Sequence, residues 1–150
     1  MIEFHDVYTT YGASQILWDL LLERAEEHDV NISFTMPTRQ AHEAFIKDTP
    51  YAHWYLAEDE GDWFGSVNAS WYNEIGIWLF REHRGKGLGR PILKKILAEA
   101  DVLPGIPGER SGHFIANINA NNDRSIYLFQ SLGFRLLQHT YILDEKNDTQ

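Results

Sequence analysis

A strand-like run, Glu74 to Phe80, leads through a turn holding Gly85, Gly87 and Gly89 into an amphipathic helix pattern. No other stretch limits the fold so tightly, because it demands a strand, a sharp bend and a helix in immediate succession. Glycine lets the backbone turn sharply and lets a ligand come close. A helix N-terminus presents unpaired N–H groups and a partial positive charge. Together these features predict an anion site best matched to a phosphate or pyrophosphate. Six of the thirteen Lys and Arg residues fall within 81–95, which supports that reading.

The stretch Arg84-Gly85-Lys86-Gly87-Leu88-Gly89-Arg90 fits R-x-x-G-x-G over its first six residues. It is not a P-loop, since no G-x-x-x-x-G-K-[ST] occurs. It also lacks the third glycine of a dinucleotide fingerprint. Taken alone, the cluster is also readable as an ordinary glycine-rich turn before a helix.

The rest of the composition sets bounds. A chain of 150 residues, 43% hydrophobic, suits a single domain spanning 1–150 with a sizeable core. No apolar run reaches the length of a membrane span. The first residues lack the basic and apolar segments of a signal peptide. With no cysteine, disulfides, thiolate ligands and a cysteine nucleophile are excluded. Sequons at Asn31, Asn68 and Asn147 read as chance in a cytoplasmic protein. The net charge is −9, and 1–62 carry thirteen acids against Arg24, Arg39 and Lys47. That balance argues against nucleic acid as a partner and favours a cationic amine. Neither the seven histidines nor their spacing suggests a metal site, and no H-E-x-x-H occurs.

Pattern reading predicts a strand over Ile2–Tyr8, then a helix over 15–27 capped by Ser14. A second helix starts at the cap Thr38 and stops at Thr49-Pro50. Strands follow over Tyr51–Glu58, Trp63–Tyr72 and Glu74–Phe80, with a hairpin at Asp59-Glu60-Gly61-Asp62. These three are expected to be antiparallel neighbours. A helix over 88–101 carries Pro91 in its first turn, where the missing N–H costs little. A strand over Gly112–Asn119, a helix over Asn122–Leu132 and a strand over Phe134–Leu143 complete the order, with 144–150 expected to fray.

Residues 122–134 form a second motif, Asn-Asp-Arg-Ser-Ile-Tyr-Leu-Phe-Gln-Ser-Leu-Gly-Phe. Paired with the glycine turn in this order, it resembles the GNAT superfamily of acetyl-CoA-dependent N-acetyltransferases. Asn122, Ser125, Leu128, Phe129, Gly133 and Phe134 match the family segment N-x-x-A/S-x-x-L-Y/F-x-x-x-G-F. The resemblance covers 60–143 closely and the earlier part loosely. It implies an α/β fold with a twisted mixed sheet flanked by helices, its central strands 74–80 and 112–119 splayed apart. Acetyl-CoA is the implied acyl donor. Arg84, Gly85, Lys86, Gly87, Leu88, Gly89 and Arg90 would hold its pyrophosphate. Ile77, Trp78 and Leu79 would bind pantetheine as an added strand does, with Asn122, Ser125 and Phe129 beside it. The implied reaction is direct acetyl transfer to a primary amine, either a small molecule or a protein amino group. Dimers are frequent in the family, and no interface can be read from the sequence.

Glu74 begins the strand that carries the catalytic glutamate in several family members, so it is the expected general base. A solvent-facing acid at a strand start is the plainer alternative. Asn117, where other members carry a glutamate, cannot be a base. Phe129 departs from the tyrosine common in the family and has no proton for the departing thiolate. Water or another side chain then supplies the proton, or none is needed at a thiol pKa of about 8.5. Otherwise the chain is a silent acyl-CoA-binding module. His83 reads as an exposed loop histidine.

Overall fold

The computed structural model describes residues 1–27 and 35–144. The sequons at Asn31 and Asn147, and 145–150 of the expected tail, lie outside the described residues. The elements are β1 (Glu3–Asp6), α1 (Ala13–Arg24), α2 (Arg39–Lys47), β2 (Tyr51–Asp59), β3 (Asp62–Ser70), β4 (Ile75–Leu79), a 3-10 turn (Arg81–His83), α3 (Gly89–Glu99) and α4 (Asp123–Ser131).

The four strands form an antiparallel sheet in the order β1-β2-β3-β4. The β2–β3 hairpin closes through Glu60 at φ 49° and Gly61 at φ 87°, the paired left-handed geometry that suits strand twist. Side chains alternate across the sheet. Val67, Ala69, Ile75, Ile77 and Leu79 pack on one face with Ile92, Leu93 and Ile96 of α3 and Phe129 of α4. On the other face Trp54, Leu56, Trp78 and Phe80 pack with Ala13, Leu17 and Leu20 of α1. Burying one aliphatic side chain contributes roughly 1.5–3 kcal/mol, so these two clusters supply most of what holds the helices on.

Several sequence expectations change. Ser14 does not cap α1. Gly12 occupies the N-cap position, and Ser14 Oγ donates to Glu43 Oε1 at 2.7 Å. Thr38 does cap α2, its Oγ1 accepting from the Ala41 N–H at 3.1 Å. The strand expected over Gly112–Asn119 is reduced to one parallel bridge between Glu74 and Ile115. The strand expected over Phe134–Leu143 is absent, with Leu136, Tyr141 and Ile142 exposed. Strand-forming residues need a partner ladder, and beyond that bridge neither run pairs with a described segment. The mixed character of the sheet therefore rests on that single parallel bridge.

Asn73 sets where the chain returns. It is 1% exposed at φ 65°, a left-handed conformation that asparagine tolerates. Its Nδ2 donates to the Leu103 and Ser111 carbonyls at 2.9 and 2.7 Å, and its Oδ1 accepts from the Leu103 N–H at 2.8 Å. Its own carbonyl accepts from the Ile115 N–H at 2.9 Å. One buried amide thus fastens the 103–111 loop and delivers Ile115 beside Glu74.

Candidate active site

β4 has two unlike edges. Ser70 N–H donates to the Glu74 carbonyl and Phe80 N–H to the Phe64 carbonyl, both at 2.9 Å. Even-numbered residues of this strand therefore turn their main chain toward β3, and odd-numbered ones face the other way. On that other edge Ile75 N–H donates to the Ile115 carbonyl at 2.8 Å. The two segments meet at this bridge and pair no further. Beyond it the main-chain groups of Ile77 find no partner among the described residues. Leu79 offers its N–H only, since its carbonyl accepts from Arg84 Nε at 3.1 Å. Trp78 turns its main chain to β3 and contributes its ring.

A cavity of about 870 Å³ opens at this edge. Ile77, Trp78, Asn117 and Asn119 line its middle, and Asn122, Ser125 and Phe129 line one end. The start of α4 is fixed there because Asn122 Oδ1 accepts from the Ser125 N–H at 3.2 Å. Its far end is fixed by Phe134 N–H donating to the Phe129 carbonyl at 3.1 Å, with the two rings edge to face at 5.1 Å. This is a Schellman closure with its apolar contact. Phe129 is buried and presents only carbon. Tyr127 is 76% exposed and does not line the cavity, so it does not replace the missing hydroxyl.

The glycine turn lies beyond the described lining. Gly85 and Gly87 are left-handed, at φ 74° and 76°. From Gly85 to Arg90, six consecutive N–H groups have no acceptor among the described residues. Gly89 serves packing, since a β-carbon there would meet Leu128 Cδ2 at 2.8 Å. The cations divide. Lys86 is exposed. Arg90 Nη1 donates to the Ser131 carbonyl and Oγ at 3.0 and 2.6 Å, at the end of α4. Arg84 turns inward, donating to Glu27 Oε1 at 2.7 Å and lying 4.9 Å from the Trp78 ring centre. Its guanidinium braces the fold rather than facing the turn. His83 is also less exposed than the sequence suggests, with a side chain 12% exposed and edge to face with Phe64 at 4.9 Å.

The other end of the cavity lies on the α1–α2 face of the sheet. The register places Tyr51 opposite Ser70, and Ser70 bonds to Glu74, so all three share one rung. Glu74 is exposed and lines the cavity, its N–H donating to Ser70 Oγ at 3.1 Å. Burial raises the Tyr51 phenol above its ordinary pKa; Arg24 opposes that shift and Glu74 adds to it. Both charges thus reach the same hydroxyl. Burial also lowers Arg24 below the ordinary arginine value, with Tyr51 opposing. Arg24 lies 5.0 Å from the Trp78 ring centre. Ser66 and Asn68 line the floor with no side-chain partner among the described residues. A β-carbon at Gly76 would fall 3.1 Å from Asn68 Oδ1, so glycine there leaves the amide its place.

The sequence reading missed Arg24, Tyr51, Ser66 and Asn68. Alternation along Ser66-Val-Asn68-Ala-Ser70 was the available signal for a polar sheet face. Glu3, His5 and Glu58 also come together, their ligand atoms within 4.8 Å of one another. None of the three lines the cavity. No helix among the described residues is long and apolar enough to cross a membrane.

Comparison with known proteins follows the same outline. Residues 18–135 match the family model described as acetyltransferase (GNAT) domain. The L-amino acid N-acyltransferase MnaT of Escherichia coli (strain K12) is 33% identical over 75 residues, 49% of this chain and 40% of that protein. The chain thus spans less than half the length of that curated relative. The spermidine N-acetyltransferase of Vibrio cholerae, solved with CoA and spermine, superposes with a TM-score of 0.71 at 17% identity, over 92% of this chain and 83% of that one. AAC(6')-Iy, solved with a CoA-S-monomethyl-acetylneamine bisubstrate analogue, gives 0.67 at 14% identity, over 97% and 99%. At these identities the two structures establish a shared fold.

Proposed function

The chain belongs to the GNAT acetyltransferase family, and on that footing we propose that it transfers an acetyl group from acetyl-CoA to a primary amine. The observation that carries the proposal is the pairing of two unsatisfied main-chain surfaces. Six N–H groups at Gly85 to Arg90, unpaired among the described residues, suit a pyrophosphate, and the edge at Ile77, open among the same residues, suits an amide-bearing pantetheine arm. Lys86 adds charge at the turn, and Asn122, Ser125 and Phe129 flank the arm. Arg84 holds the turn against the segment after α1 and stays off the phosphates.

The acceptor enters from the α1–α2 face. Its neutral nitrogen attacks the thioester carbonyl. A C–N bond forms, the C–S bond breaks, and CoA departs as the thiolate. Glu74 takes the proton the nitrogen sheds, directly or through water. Water protonates the thiolate, because a thiol pKa of about 8.5 makes it a fair leaving group without a protein acid. Much of the acceleration comes from holding amine and thioester in attack geometry.

The test is release of CoA thiol from acetyl-CoA with a panel of primary amines. Release with at least one amine supports the reading. Saturable acetyl-CoA binding with no release across the panel identifies a silent acyl-CoA-binding module.

A further inference from the structure

Away from the cavity, the edge of the sheet brings three ligand-bearing side chains together. Glu3 and His5 are two apart on β1, so both face the same side of the sheet. Register sets Glu58 of β2 directly opposite Glu3, and Trp63 of β3 opposite Glu58. His5 Nε2 lies 3.1 Å from Glu58 Oε1 and 3.9 Å from Glu3 Oε2, and the three ligand atoms fall within 4.8 Å of one another. Sequence spacing conceals the group, since 53 residues separate His5 from Glu58.

Two carboxylates set directly across a strand pair repel one another. Among the described residues neither has a lysine or arginine partner, and His5 is the one basic group that pairs with both. The histidine makes this a mixed nitrogen and oxygen set rather than a patch of acids. Two of the three ligands are held in place before any ion arrives. The Glu58 side chain is 13% exposed, and its second oxygen, Oε2, accepts from the Gly61 N–H at 2.8 Å. The His5 ring is edge to face with Trp63 at 5.0 Å. Glu3, 66% exposed, can swing to meet them. Tetrahedral bonds to zinc of about 2.0–2.2 Å put neighbouring donor atoms roughly 3.4 Å apart. The observed 3.1 and 3.9 Å bracket that separation.

We propose that Glu3, His5 and Glu58 bind a divalent metal ion of the zinc class, which ties the edge strand β1 to β2. His5 Nε2 and one oxygen from each carboxylate are the ligands, and water from the open side completes the shell. The imidazole nitrogen favours Zn2+ over Mg2+ and Ca2+, which prefer oxygen ligands throughout. β1 is four residues long and pairs with β2 alone, so a cross-link here adds hold where the ladder is shortest. None of the three residues lines the cavity, so the site stands apart from the acetyl-transfer reading.

The experiment titrates the full chain with Zn2+ by calorimetry, with Mg2+ as competitor, and repeats the titration on His5→Gln, Glu3→Gln, His113→Gln and His139→Gln. The last two remove exposed histidines elsewhere. The expected result is one saturable Zn2+ site, unmoved by excess Mg2+. It should weaken by at least about tenfold in His5→Gln and Glu3→Gln, the least that removing even an outer partner of a metal ligand costs. His113→Gln and His139→Gln should keep it. Zn2+ should also raise the thermal midpoint of the wild type and leave that of His5→Gln in place, since an ion that binds only the native chain stabilises it. Absence of saturable binding up to about 1 mM, equal affinity in the wild type and both site variants, or displacement by Mg2+ overturns the site. Binding that leaves the wild-type midpoint unchanged overturns the tie between the strands. Should His5→Gln fail to fold, the exposed Glu3→Gln decides.

Discussion

Glu27 Oε1 accepts a 2.7 Å hydrogen bond from Arg84 Nη1, tying the segment after α1 to the residue that opens the glycine turn. Arg81 Nε lies 3.5 Å from the same oxygen. The proposed acceptor and phosphate sides of the molecule are joined through this carboxylate.

That bond is the main cause holding the Glu27 carboxyl below the usual glutamate range, with burial opposing it. The unfolded chain then binds more protons than the native one between the two pKa values. Stability rises with pH in that window and is lost as pH falls through the native value. Glu27→Gln should flatten the dependence of the urea midpoint on pH between about 3 and 6. Parallel curves for the two proteins would remove Glu27 from the acid-sensitive set.

Asn73→Ala should cost about 3 kcal/mol, because it strands the Leu103 N–H and the Leu103 and Ser111 carbonyls. Asn73→Gly loses the same bonds and keeps the left-handed backbone at ease. It should be the less damaged by about 1 kcal/mol. Urea unfolding of both variants checks the order; a loss below about 1 kcal/mol for either would show that the loop holds without this amide.

Glu74→Gln should lower kcat by about a hundredfold. The acetyl-CoA dissociation constant should not change, since Glu74 is not among the residues proposed to hold CoA. Unchanged kcat at saturating amine across pH would return Glu74 to the role of a solvent-facing acid.

Phe129→Tyr places a hydroxyl at the buried end of the cavity, where the described lining has only carbon from this residue. If water protonates the thiolate fast enough, kcat at saturating amine should stay within about threefold of wild type, a change under 1 kcal/mol. A rise of tenfold or more would mean that thiolate protonation limits the natural protein.

The glycine turn and the 122–134 motif were legible because their requirements are local. The Thr38 cap, the Glu60-Gly61 hairpin and the Gly133-Phe134 closure of α4 are equally short-range. What failed depended on distant partners. The runs 112–119 and 134–143 have strand-like composition, but a ladder needs a neighbour and only Ile115 meets one. Nothing near Arg84 in sequence announces its bond to Glu27. The proposed acceptor face escaped notice for a similar reason. Tyr51 and Ser70 come from two strands and Glu74 from the residue before a third, and they meet through register, while Arg24 arrives on a helix.

The most direct test of the central claim is a backbone amide NMR titration of the turn. Adding acetyl-CoA should shift the Gly85, Gly87 and Gly89 cross-peaks in saturable fashion, and pantetheine, which lacks the pyrophosphate, should leave them in place. Immobile glycine peaks at saturating acetyl-CoA, or equal shifts with pantetheine, would contradict the account.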